Sequence, residues 1–275
     1  MLRKLKSLVL KALNACGWQI VRHQDNTYEI RPVLKLGAHH TNDIRYILSD
    51  RVGTVLDIGA NVGQTALSYL TEFPKAAIFS FEPDPESYQK LAAAIAPHSK
   101  ARAYNVALGR ETGSAKLFRF KFDQTNSLLP KARGAEQYVA DAEYLADIGQ
   151  VSVEVSTLDA FCGEHNIEKI DLLKIDTQGY ELEVLNGALG LLRSAAISLI
   201  YIEVCFVRYY EGQPLFPELY QFLYNFGYRF VGLYESGFVT HCYHVGGNAL
   251  FVHESLGNLR KPQTFLRLGR VQIRY

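Results

Sequence analysis

From Val52 onward the chain alternates short runs rich in β-branched and aromatic residues with stretches of helical period, and few folds accept that order. A helix between two strands carries the chain back along the sheet, so successive strands run parallel and helices cover both faces. Val52–Gly59, Ala76–Glu82, Ala101–Leu108, Ile170–Asp176 and Ala196–Glu203 read as strands, with Tyr228–Tyr234 and Asn248–Val252 after them. Between them lie helices: one over Gly63–Phe73 stopped by Pro74, one opened by Pro83 and Pro85, one over about Glu181–Leu192, and one through Leu219, Phe222, Leu223 and Phe226. The expectation is an α/β, doubly wound, mostly parallel seven-stranded sheet.

Residues 110–157 break the alternation. Lys116–Phe122 and Val151–Ser156 look like strands, with a polar stretch over Asp123–Ser127 and weak periodicity beyond, so the segment reads as an insertion, a lid or a hairpin. The chain divides into an extension over 1–50, a main domain over 51–254 and a tail over 255–275. Residues 2–16 put Leu2, Leu5, Leu8, Val9, Ala12, Leu13 and Cys16 on one helical arc and Arg3, Lys4, Lys6 and Lys11 on the other. This N-terminal helix has no cleavage site and is too short and charged to span a bilayer. It docks either on its own domain or, as a peripheral contact, on the inner face of a membrane. A net charge of +1 gives no field that would draw the chain to nucleic acid. Cys16, Cys162, Cys205 and Cys242 form no CxxC pair, which fits free thiols in a reducing, cytoplasmic setting. His241 and His244 flank Cys242 without a second ligand group at recognisable spacing, so no metal is expected.

The turn after Asp57 carries the clearest chemistry. In Val55-Leu-Asp-Ile-Gly-Ala-Asn-Val-Gly63 the strand ends at Gly59 and a helix follows. Glycine lets the backbone approach a ligand, and a helix start offers free N–H groups. A nicotinamide-binding turn needs GxGxxG, and here Asn61 and Gln64 stand where the second and third glycines belong. Asp57 would repel a pyrophosphate and suit an ammonium, which favours S-adenosylmethionine with its amino-acid end. Glu82 closes the next strand, where an acceptor takes both ribose hydroxyls of an adenosine ligand, and Asn105 ends the third strand beside the expected adenine. Asp176 and Glu203 end two further strands on the rim where open parallel sheets bind their ligands. Lys174, inside an apolar strand, requires a carboxylate or another acceptor. Tyr209 and Tyr210, beside Arg208 and a turn at Gly212, are the aromatic residues expected to be exposed to an acceptor.

Taken in order, DIGANVGQT (57–65), FSFEPDP (79–85), NVALG (105–109), STLDAF (156–161), DLLKIDTQGYELEVLNGA (171–188), YIE (201–203) and GNALFV (247–252) resemble the FkbM family of methyltransferases. The resemblance covers about residues 52–254. It implies a class I methyltransferase (Rossmann-like) fold, S-adenosylmethionine as cofactor, and O-methylation of a hydroxylated small-molecule or glycan acceptor. Carried over position by position, Asp57, Gly59, Asn61, Gly63, Glu82 and Ala107 fall on the cofactor side and Asp176 at the centre of the rim. Many members carry Glu where this chain has Gln178, so a base at 178 is lost. Removal of the hydroxyl proton falls to Asp176 first, with Glu203, His241 and His244 behind it. Two rival readings stand beside this one: a cofactor-binding or assembly module without turnover, and a nicotinamide-dependent oxidoreductase, against which the missing glycines count.

Overall fold

A computed structural model describes residues 18–22, 28–32, 37–48, 51–239, 243–259, 267–268 and 271–272. The helix expected over 2–16, together with Cys16, His241 and Cys242, falls outside the described residues. The central sheet has seven strands: β1 (Thr54–Ile58), β2 (Ala77–Phe81), β3 (Ala101–Tyr104), β4 (Ile170–Ile175), β5 (Ile197–Cys205), β6 (Tyr228–Val239) and β7 (Tyr243–His253). Their order is β6-β7-β5-β4-β1-β2-β3. Pairing is parallel from β5 through to β3, while β7 runs antiparallel to β5 and β6 antiparallel to β7. This is the doubly wound, mostly parallel sheet that the alternation predicts. Winding reverses between β1 and β4, so the crevice for a ligand opens at their carboxyl ends.

The helices are α1 (His40–Leu48), α2 (Gln64–Glu72), α3 (Pro85–Ile95), α4 (Leu158–Glu164), α5 (Glu181–Asn186), α6 (Leu189–Arg193) and α7 (Phe216–Asn225). Strands buried on both faces read as nearly unbroken apolar runs, because neither side meets water. Leu56, Ile58, Leu173, Ile175, Ile200 and Ile202 face Val184, Leu185, Leu192 and Leu219 on one side. Val55, Leu172 and Leu199 face Ile44, Ala66, Tyr69 and Leu91 on the other. Caps fix where the helices begin: the Asp84 carboxylate accepts from Glu86 N–H with Pro85 at the first helical position, and Thr157 Oγ1 accepts from Ala160 N–H. Among the described residues no helix is long and apolar enough to cross a membrane.

Two elements differ from the sequence reading, and a third, the insertion, takes the hairpin form expected of it. The strand expected over Ala101–Leu108 leaves the main sheet after Tyr104, and Ala107–Leu108 pairs instead with Val155–Ser156. The helix expected over Glu181–Leu192 is broken into α5 and α6 at Gly187, where a Cβ would stand 2.0 Å from the Gly109 carbonyl oxygen. That close approach, and not the local apolar period, decides the geometry. The insertion is a hairpin of Gly113–Phe120 and Asp147–Ser156, joined by Ala107–Leu108 into a second, three-stranded sheet.

The connecting segment of the hairpin is no free flap. Phe120, Ala135 and Leu145 pack with Tyr210 in a small core of their own. Asn126 Nδ2 donates to Asp84 Oδ2 (3.1 Å) at the start of α3, and Ser127 Oγ donates to the Gln178 carbonyl (2.6 Å) at the rim. Tyr210, expected to be exposed, is therefore only 1% exposed, and Tyr209 is half-buried. Cys162 and Cys205 are buried free thiols.

Candidate active site

The ends of β1 and β4 approach so closely that only glycine fits between them. A Cβ on Gly59 (φ +75°) would lie 1.8 Å from the Asp176 carbonyl oxygen. Asp176 N–H donates to Ile58 O (3.0 Å), and the N–H groups of Gly59 and Ala60 both donate to Phe81 O (3.0 and 2.9 Å). The turn continues through Asn61 (φ 47°) to Gly63 (φ 96°), from which α2 starts. Gly63 lies off the cavity. A Cβ there would meet Leu91 Cδ1 at 3.0 Å, so its part is to let α2 and α3 pack closely.

A polar row runs under α2 through this apolar sheet. Strand register puts Ser80, Asp57, Lys174 and Tyr201 side by side on β2, β1, β4 and β5. Lys174 Nζ lies 3.1 Å from Asp57 Oδ1 and 3.7 Å from Asp176 Oδ2, and donates to Gly59 O at 2.9 Å. Burial alone would discharge this ammonium, but the charges of Asp57 and Asp176 outweigh it and hold the group above its ordinary value. Asp57 is fully buried and off the cavity wall. The ammonium beside it is that of Lys174, which ties the glycine turn to Asp176.

Glu82 stands at the end of β2 on the cavity wall. Its Oε2 accepts from Asn61 N–H and its Oε1 from Asp84 N–H, both at 2.8 Å. Burial pushes its carboxyl up to about 7, with those two N–H bonds holding it back from going further. Asn105 sits behind the wall. Its Nδ2 donates to Glu82 O (2.8 Å) and Pro83 O (3.0 Å), which fixes the strand end that presents Glu82 and pulls the chain out of the main sheet. Ala107 does line the cavity and is 4% exposed.

Across the crevice, Gln178 links the two rim acids. Its Nε2 donates to Asp176 Oδ1 (3.0 Å) and to Glu203 Oε2 (3.1 Å). Its Oε1 lies 3.1 Å from the Tyr210 hydroxyl, which also donates to Thr125 O at 2.7 Å. The Gln178 amide is thus a bridge between the two acids. Burial raises Glu203 well above the usual carboxylate range, reinforced by the charges of Asp176 and Glu181 and by a hydrogen bond with Asp176. Glu181, 2% exposed, accepts from Thr177 N–H and Gly179 N–H (2.9 and 3.1 Å) and braces the same turn from within.

These groups surround a cavity of about 570 Å³, a size usual for small-molecule sites. Val106, Ala107, Leu108 and Leu117 give it an apolar wall, and Asn61, Glu82, Asp176 and Glu203 a polar one. Asn61 Oδ1 is buried without a hydrogen-bond partner. The insertion closes one side with Gln124 through Leu128 and with Tyr144, a contribution the sequence hinted at only through its polar run at 123–127. His244 is exposed and off the wall. The structure brings Gly59, Asn61, Glu82, Ala107, Asp176 and Glu203 to one cavity, with Asp57, Gly63 and Asn105 behind it.

A family model described as the Methyltransferase FkbM domain matches residues 57–230. The 2-O-methyltransferase NoeI of Sinorhizobium fredii is 30% identical over 191 residues, which cover 66% of this chain and 75% of that protein. The hexuronic acid methyltransferase AglP of Haloferax volcanii is 25% identical over 149 residues, 54% of each chain. Among solved structures, magnesium protoporphyrin IX methyltransferase of Synechocystis is similar at 12% identity and a TM-score of 0.40, over 77% of this chain and 76% of that one.

Proposed function

The chain belongs to the FkbM methyltransferase family, and from that premise we propose that it moves a methyl group from S-adenosylmethionine to a hydroxyl oxygen of a sugar, glycan or secondary-metabolite acceptor. The observation that carries the donor half is Glu82. A carboxylate on the cavity wall, one strand from the glycine turn and fixed by two main-chain N–H groups, suits the paired hydroxyls of a ribose. The apolar wall of Val106, Ala107 and Leu108 suits a flat base. Asn61 Oδ1, buried and unpartnered on the wall, is the acceptor available to an amino-acid ammonium now that Asp57 is committed to Lys174. S-adenosylmethionine supplies a methyl already activated on a sulfonium. What falls to the protein is orientation, exclusion of water and removal of the hydroxyl proton.

Asp176 is the base in this reading. It sits at the rim beside Lys174 and Gln178, both of which hold its carboxylate in place. Burial and the neighbouring charges of Asp176 and Glu181 favour the neutral form of Glu203, which leaves Asp176 the better placed of the two to take up a proton. The acceptor class draws support from the relatives named for 2-O- and hexuronic acid methylation.

Calorimetry with S-adenosylhomocysteine and a methyl-transfer screen over glycosides, read by mass spectrometry for an added CH₂, test both halves. Binding plus a methylated product is the expected result; tight binding with no product from any acceptor favours the module without turnover. The pH dependence is a sharper test of Glu82. Ribose hydroxyls donate to the ionised carboxylate, and a group raised to about 7 must lose its proton first below that pH. Affinity is therefore expected to fall as pH drops below about 7, by up to about tenfold per pH unit. Glu82→Gln is expected to flatten that slope and weaken binding throughout; an unchanged slope would remove Glu82 from the ribose.

A further inference from the structure

Behind the rim lies a second cavity, of about 280 Å³, which shares Thr125, Gln178 and Glu203 with the first. The two cavities meet at these three residues. Gln178 Nε2, which bonds Glu203 at 3.1 Å on the shared wall, bonds Asp176 at 3.0 Å on the side of the first cavity. We propose that this second cavity holds the sugar ring of the methyl acceptor, and that it selects an uncharged ring over a uronate.

The inference rests on the methyl-transfer reading above and follows from what lines the space. Val139, Leu145, Val245 and the Tyr209 ring offer apolar surface for the C–H face of a pyranose. Gln178, Glu203 and Asn248 offer hydrogen-bonding groups for its hydroxyls. The acids among the described lining residues are Glu203, whose neutral form burial favours, and Glu235, with no lysine or arginine among them, so the like charge a carboxylate would face is that of Glu235. Glu235 accepts from Asn248 Nδ2 at 3.1 Å and lies 3.5 Å from His40 Nδ1. Burial keeps His40 below its ordinary value, and its ring is stacked on Tyr201, outside the lining of this cavity. Lys174, the cation lining the first cavity, is engaged by Asp57, Asp176 and Gly59 O. A ring bearing a carboxylate would lose water here without gaining a counter-ion and would face like charge. A neutral ring needs only donors and acceptors. One of its hydroxyls, reaching past Gln178, meets Asp176.

The test uses the full chain and matched glycoside pairs that differ only in oxidation at C6, such as methyl glucoside against methyl glucuronide and methyl galactoside against methyl galacturonide. Saturation-transfer NMR is recorded with and without S-adenosylhomocysteine. Neutral members are expected to bind and the uronates to bind at least about tenfold more weakly. Val245→Trp and Val139→Trp fill the space from two different parts of the chain, and each is expected to abolish the neutral signal while S-adenosylhomocysteine titrates as in wild type. Glu235→Lys is expected to narrow the discrimination against uronates. The proposal is overturned if uronates bind as well as their neutral partners, if neutral binding survives a Trp variant, or if no glycoside binds while S-adenosylhomocysteine does. A Trp variant that also loses S-adenosylhomocysteine is set aside as misfolded, and the wild-type comparison decides. Failure of the wild-type chain to bind S-adenosylhomocysteine strikes the donor reading instead, and the glycoside measurements made without it are scored separately.

Discussion

Asp176→Asn is expected to lower kcat by about 10²- to 10⁴-fold, the range a positioned general base contributes, with S-adenosylhomocysteine still bound within about threefold of wild type. The substitution keeps the shape of the side chain and removes its charge and its capacity to take a proton. Lys174 retains Asp57 at 3.1 Å and the Gly59 carbonyl at 2.9 Å, so the glycine turn keeps its brace. The companion variant separates the two rim acids. Burial and the charges of Asp176 and Glu181 favour the neutral form of Glu203, so Glu203→Gln, which keeps a neutral hydrogen-bonding group there, is expected to cost less than about tenfold. Single-turnover rates on the two variants decide the matter. Full turnover by Asp176→Asn would take the base away from Asp176, and a larger loss in Glu203→Gln would move it to Glu203.

Local chemistry made much of this site legible in the sequence. The apolar runs of β1, β4 and β5 announce strands buried on both faces, and the ends of such strands are where a parallel sheet binds its ligand. Gly59, Glu82 and Asp176 are therefore found by position along the chain alone. Partnerships across the sheet are a different matter. Asp57 does need a cation, but only the register of β1 against β4 reveals that Lys174 supplies it. A polar side chain such as Asn105 looks the same in sequence whether it meets a ligand or the neighbouring carbonyls of Glu82 and Pro83. Tyr210 sits beside a turn and reads as exposed, yet Phe120, Ala135 and Leu145 of the insertion bury it. The break at Gly187 is hidden for the same reason. The apolar period runs on through Leu189 and Leu192, and a contact with Gly109, remote in sequence, ends the helix.

Removing Lys174 is the most damaging single change expected for the fold. Lys174→Met keeps the length of the side chain and its apolar stem but leaves the fully buried Asp57 without its cation. Breaking a buried pair from one side costs about 3–5 kcal/mol, because the remaining charge has neither water nor a partner. At this chain length that is a fall in Tm on the order of 10 °C. The deficit also has a sign in pH. Burial already pushes the Asp57 carboxyl up against the pull of Lys174, and without the lysine the folded-state value rises further above the unfolded one. A raised carboxyl binds its proton more tightly in the folded chain, so stability is present at low pH and lost as pH rises through the folded value. The variant is thus expected to lag wild type least at about pH 4, near the unfolded value of an aspartate, and increasingly as pH rises above it. Adding Asp57→Asn to Lys174→Met removes the stranded charge and is expected to restore more than half of the loss and to erase its pH dependence. Equal melting temperatures for Lys174→Met and wild type at higher pH would mean that Asp57 does not depend on Lys174, and that the row from Ser80 to Tyr201 is not what ties the glycine turn to the rim.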